Sequence, residues 1–155
     1  MDRGFSHDRG SEEGARSLAV VIDSSIWVDY FRSGTPVALK QELRQIIDSP
    51  EAAMCEPVYF ELLRAAPAAQ RHRIVQYFAT LHMLPTPQSL WRDARLLGQK
   101  CANRGVAPRS MDLLIAVICI HERAAIVTFD SHFQQIAKIA RLEVILLSRF
   151  PAAAS

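Results

Sequence analysis

No apolar run in these 155 residues approaches the ~20 needed to cross a bilayer, and the N-terminus lacks the apolar core of a secretion signal. The expectation is a soluble, cytoplasmic protein. Cysteine is scarce: Cys55, Cys101 and Cys119 are an odd count without metal-ligand spacing and have mostly apolar or small neighbours. They read as small core residues rather than as a disulfide framework or a thiolate metal site. Glycine is scarce too, at six residues. None lies in Asp23-Ser24-Ser25-Ile26-Trp27, which argues against the glycine-rich phosphate turn of a nucleotide- or flavin-binding domain. The lysine that a receiver or phosphotransfer domain carries after a late strand has no obvious counterpart. Nor is there a charge excess: the net charge of +2 points by itself to no class of partner.

Half of the chain is apolar, enough at this length for one domain with one core. Residues 1–17 are polar and charged and read as a flexible tail. They make a poor basic arm, because Asp2, Asp8, Glu12 and Glu13 nearly balance the arginines. The domain is expected over residues 18–150, with residues 151–155 as a C-terminal tail.

Val20-Val21-Ile22 reads as a short buried strand running into Asp23. Ser24 or Ser25 is placed to cap a helix over residues 26–32. Pro36 opens a helix over 37–48, residues 52–55 form a second strand, and Glu56-Pro57 introduces a helix over 58–65. The amphipathic stretch 70–83 reads as one helix, and 89–103 as another, closed near Gly105. Ser110 caps a helix over 111–121 that is apolar on every side from Leu113 to Ile120 and so deeply buried. Residues 124–129 are a strand ending at Asp130, 131–140 a helix, and 142–147 a final buried strand. Strands alternating with helices predict an α/β fold, a parallel sheet covered on both faces.

Four carboxylates stand in places that ordinary surface chemistry does not require. Asp23 and Asp130 each end an apolar strand and precede a helix. Each is a natural helix cap, yet parallel strands bring both to the same sheet edge, where ligands bind in open α/β sheets. Asp112 lies in the first turn of an otherwise apolar helix. The helix dipole accounts for it in part, but a buried aspartate needs a positive partner, either Arg109 or a metal. Glu61 sits among Val58, Tyr59, Phe60, Leu62 and Leu63, with Arg64 three residues on as a possible surface partner. Glu56, Asp29, Asp48 and Asp93 read as surface or capping residues. A like-charged pair at ~4 Å repels by about 4 kcal/mol at an effective dielectric of 20, so four gathered acids require a cation. With oxygen donors only, Mg²⁺ or Mn²⁺ suits them. The other side chains then leave a mildly basic surface, able to meet a phosphate backbone.

Val21-Ile22-Asp23-Ser24-Ser25-Ile26-Trp27-Val28 resembles the opening motif of PIN-domain nucleases. Glu56 to Arg64 resembles the second motif, Met111 to Ala116 the third, and Thr128 to Phe133 followed by Ile136 the fourth. Their order and spacing resemble VapC-type toxins of toxin–antitoxin pairs, from about Val20 to Leu147. The resemblance implies a Rossmann-like, three-layer α/β/α sandwich with a central parallel sheet and an endoribonuclease dependent on Mg²⁺ or Mn²⁺. It implies Asp23, Glu61, Asp112 and Asp130 as catalytic metal-site residues, supported by Ser25 and Thr128. His132 stands where many members carry a further Asp. Arg64, Arg71, Arg73, Arg104 and Arg109 are candidates for positioning RNA. The family usually forms homodimers and is inhibited by a small VapB-type antitoxin, for which the segments between Val37 and Leu84 offer grooves. The alternative is an inactive PIN module acting as a binding scaffold.

Overall fold

The computed structural model describes residues 18–150; the two tails predicted from the sequence lie outside the described residues. Five strands form one sheet: β1 (Val20–Ile22), β2 (Ala52–Met54), β3 (His82–Met83), β4 (Ala125–Thr128) and β5 (Glu143–Leu146). All are parallel, in the order β3-β2-β1-β4-β5. Seven helices connect and flank them: α1 (Ser24–Phe31), α2 (Val37–Ile47), α3 (Glu56–Ala65), α4 (Ala68–Phe78), α5 (Leu90–Ala102), α6 (Ser110–Glu122) and α7 (His132–Ala137). No helix among the described residues is long and apolar enough to cross a membrane.

The strand order reverses at β1. The chain builds outward from β1 to β2 and β3, then returns to place β4 on the other side of β1. The carboxyl ends of β1 and β4 therefore border the crevice that a parallel sheet opens at such a reversal. The register pairs Ile22 with Val127, so Asp23, just past β1, comes beside Thr128, the last residue of β4. Trp27 fixes this corner. It is fully buried, its Nε1–H donates to the Ile22 carbonyl at 3.1 Å, and its ring meets Phe78 edge-on with centroids 4.7 Å apart. The end of β1 is thus tied to α1 and α4 at once. The α6 helix runs through the core with Leu114 to Cys119 all buried, as an all-round apolar helix must.

Four expectations need correction. The stretch 70–83 is not one helix: α4 ends at Phe78, and His82–Met83 adds a strand to the β2 edge. Two residues are too few for a period-2 pattern to show. The final strand β5 pairs on one side only and is largely exposed rather than buried. Neither Ser24 nor Ser25 caps α1, and Ser110 does not cap α6: Asp23 and Arg109 hold the cap positions, and the three serines lie inside the helices. Asp29 is not a surface residue. It is buried, with Arg149 Nε 2.6 Å from its Oδ2. The three cysteines are buried core residues, as expected, and burial lifts the Cys55 thiol to about 12.

Candidate active site

Each of the four predicted acids is delivered by a different element. Asp23 follows β1, Glu61 is on α3, Asp112 is in the first turn of α6, and Asp130 follows β4. Asp23 is in the N-cap position of α1 but makes no side-chain cap bond. Its Oδ2 instead accepts from Thr128 Oγ1 at 2.7 Å and from Ser25 Oγ at 2.8 Å. Both hydroxyls have a second task. Thr128 Oγ1 accepts the Asp130 N–H at 2.9 Å, and Ser25 Oγ accepts the Phe129 N–H at 3.3 Å. One small network therefore holds Asp23 and places the backbone of Asp130. Ser24, which the sequence reading considered only as a cap, donates to Glu61 Oε2 at 3.0 Å.

Arg109 joins the other two acids. Its Nε lies 3.1 Å from Asp112 Oδ2, and its Nη2 lies 3.4 Å from Asp112 Oδ1 and 2.9 Å from Asp130 Oδ2. Asp130 also accepts the His132 N–H at 2.9 Å, and His132 Nδ1 lies 2.6 Å from the same oxygen, Oδ1. His132 is exposed, at the rim of the site.

The charges are under tension. Burial raises the Asp112 carboxyl above its ordinary value, and the charges of Asp130 and Asp23 add to this against the opposing pull of Arg109. Burial likewise raises Glu61, with Asp23 and Asp112 adding to it, against the Ser24 hydrogen bond and Arg109. Asp130 goes the other way. Burial pushes it up, but the His132 backbone and ring, together with Arg109, outweigh that and hold it below the usual range. Two carboxyls displaced upward by burial and by each other mark a site with more negative charge than its surroundings accommodate.

The residues fit a hard divalent cation by donor chemistry. The converging groups are carboxylate and hydroxyl oxygens, and a positive group, the Arg109 guanidinium, already bridges Asp112 and Asp130. Among the described residues, no three Asp, Glu, His or Cys side chains stand as a ready-made chelate.

The remaining arginines separate by surroundings. Arg64 lines a cavity of about 610 Å³ that begins at Ser24 and Glu61 and runs along α1, α3 and the start of α4. Arg73 lines a neighbouring cavity of about 510 Å³ between α1, α2 and α4. Arg71 turns back on its own corner, its Nε–H donating to the Ala66 carbonyl at 3.1 Å, so part of its role is structural. Arg104 is exposed beyond the end of α5.

Known proteins resemble this chain in sequence and in fold. The model of the PIN domain matches residues 20–139. This chain belongs to the PIN-domain family. Within it, the chain is 33% identical over 129 residues to the VapC ribonuclease Mb1587 of Mycobacterium bovis, covering 80% of this chain and 96% of that protein. It is similar to the same extent to ribonuclease VapC11 of Mycobacterium tuberculosis. Among solved structures, VapBC2 of Rickettsia felis, bound to a promoter DNA fragment, superposes with a TM-score of 0.67 at 18% identity, over 84% of this chain and all of that one. VapBC-1 of nontypeable Haemophilus influenzae gives 0.64 at 18% identity, over 83% and 98%. These two likenesses speak for the PIN fold, and the mycobacterial relatives place the chain among the VapC ribonucleases.

Proposed function

We propose that this VapC-type ribonuclease hydrolyses RNA phosphodiester bonds at the Asp23–Glu61–Asp112–Asp130 site with Mg²⁺ or Mn²⁺. The observation that carries the reading is the Asp23 carboxylate. It occupies a helix-cap position without capping, turned by Ser25 and Thr128 toward the crevice that Asp112 and Asp130 also border. A divalent ion held there would supply Lewis-acid chemistry, polarising a phosphate oxygen and making a bound water more acidic. The chain's own contribution is placement. Asp23, Asp112 and Asp130 supply hard oxygen donors, Glu61 stands ready as a further donor or a proton acceptor, and Ser25 and Thr128 keep Asp23 from rotating away. Arg64, Arg73 and Arg109 surround the approach and suit RNA phosphates.

The partner assigned on the same basis is a VapB-type antitoxin. The two cavities lie along α1, α2, α3 and α4, so residues 24–33 line them together with part of the 37–84 region read as a groove from the sequence. They join an apolar floor of Phe31, Tyr77 and Ile74 to basic side chains at Lys40, Arg44 and Arg73. That combination suits an extended segment carrying apolar and acidic side chains. The assembly read from the family is a homodimer acting on cytoplasmic RNA.

The test is cleavage of a structured RNA with added Mg²⁺ or Mn²⁺. Activity is expected to vanish with EDTA and in Asp23→Asn and Asp112→Asn, with the fold intact by circular dichroism. Cleavage that persists in both variants would remove the site assignment. Loss of binding to the product of a small neighbouring gene on deleting α2 contacts at Lys40 and Arg44 tests the partner.

A further inference from the structure

Arg109 holds the oxygens that a cation between Asp112 and Asp130 would need. Its Nη2 is shared between carboxylates from two elements, 2.9 Å from Asp130 and 3.4 Å from Asp112, while its Nε engages the second Asp112 oxygen at 3.1 Å. A hard divalent ion draws oxygens to roughly 2.1 Å. The guanidinium therefore occupies oxygens of both carboxylates that a shared ion would have to take over.

The anchoring of Arg109 is one-sided. Its side chain is 70% exposed, against 4% for Asp112 and 19% for Asp130, so only its tip is fixed, by charge rather than by packing. It stands at the extended residue preceding α6, on the solvent side of Asp112. An arginine held in this way can leave without disturbing the core. A double positive charge arriving beside it supplies both the replacement for its bonds and the repulsion that drives it out.

We propose that Arg109 is an internal counter-ion that competes with the divalent metal for Asp112 and Asp130, and so raises the metal concentration at which this ribonuclease switches on. The inference rests on reading the four acids as the metal site. Within that reading it assigns Arg109 a role distinct from contact with RNA: it guards the site in the metal-free state. Arg109 is a positioning residue here, because it acts through the two carboxylates.

The test measures Mn²⁺ binding directly, by the paramagnetic resonance signal of free Mn²⁺, without RNA. The proteins are the wild type, Arg109→Gln, Arg109→Lys and Asp112→Asn. Arg109→Gln is expected to bind Mn²⁺ about two- to fivefold more tightly than wild type, the range that release of an ion pair with one exposed partner provides. Arg109→Lys, which keeps the charge but loses the fork, should fall between them. A disturbed fold would weaken binding, so a gain separates competition from damage. Unchanged or weaker binding in Arg109→Gln, with Asp112→Asn still impaired, overturns the counter-ion role while leaving the metal site standing. Binding by Asp112→Asn equal to wild type instead overturns the metal-site reading on which the inference depends.

Discussion

Asp112 sits where the metal-free fold disfavours its charge. Buried beneath Arg109 and facing Asp130 and Asp23, its carboxyl is raised above the ordinary aspartate value of 3.8, burial being the largest cause. A group raised in this way contributes stability while protonated and loses that contribution as pH rises through its folded pKa. In EDTA at pH 7, Asp112→Asn should therefore unfold at a higher temperature than wild type. The two curves should converge below pH 3.8, where the wild-type carboxyl is also neutral. The same substitution should abolish cleavage. A calorimetric scan at two pH values, paired with an RNA assay, checks both halves. An Asp112→Asn protein less stable than wild type at pH 7 would mean that the Arg109 pair outweighs burial. The four acids stand out in the sequence because Asp23 and Asp130 end apolar strands, Asp112 lies in the first turn of an apolar helix, and Glu61 sits among apolar residues of α3. The sequence did not show the pairing of Ser24 with Glu61 or the use of Arg109 by two acids, because a hydroxyl next to a helix start reads first as a cap. Asp29 was misjudged for a related reason: its partner, Arg149, lies 120 positions away along the chain.

Among the elements, α6 was the easiest to read and the α4–β3 junction the hardest. An all-round apolar helix declares its burial, whereas a two-residue strand has no pattern of its own and is defined only by pairing with β2. The C-terminal end of α6 carries one cost and one stabilising contact. At its C-terminus Arg123 adopts a left-handed backbone, φ 52° and ψ 37°, a conformation that suits glycine. Arg123→Gly should stabilise the fold by about 0.5–1 kcal/mol in urea unfolding with an unchanged slope. A loss of stability there would mean that the Arg123 side chain makes compensating contacts. Between α5 and α6, Asp93 accepts from Ser89 Oγ at 2.6 Å and lies 2.8 Å from His121 Nε2. The Ser89 bond, then His121 and Arg92, hold its carboxyl down to about 2 from the ordinary 3.8. A lowered carboxylate contributes stability above its unfolded pKa and loses it as pH falls toward the folded value. Asp93→Asn should accordingly melt lower than wild type at pH 5, with the difference closing between pH 3.8 and about 2. A difference that stays constant across that window would assign the loss to packing rather than charge.

At the scale of the whole molecule, the reversal of strand order at β1 is what brings the separate sequence motifs to one sheet edge. Asp23 and Asp130 meet because β1 and β4 are parallel neighbours, and α3 and α6 bring Glu61 and Asp112 over the same edge. The end of the described chain returns to this corner. Arg149 pairs with buried Asp29 on α1, and its guanidinium carbon lies 4.4 Å from the centre of the Phe129 ring, one residue before Asp130. The segment after β5 thus fastens the helix that follows Asp23 to the strand end that carries Asp130. Removing one member of a buried pair leaves the other charge uncompensated, which costs about 3–5 kcal/mol when both are enclosed. Arg149 is 48% exposed, so water screens much of this, and Arg32 lies 4.0 Å from the other Asp29 oxygen. Arg149→Ala is therefore expected to cost roughly 1–2 kcal/mol, measured by chemical denaturation. Asp29→Asn combined with Arg149→Ala should recover part of that loss, because no unpaired charge is left inside. An additive double mutant would show that Arg149 acts through Phe129 rather than through Asp29, and would place the latch on the strand instead of on the helix.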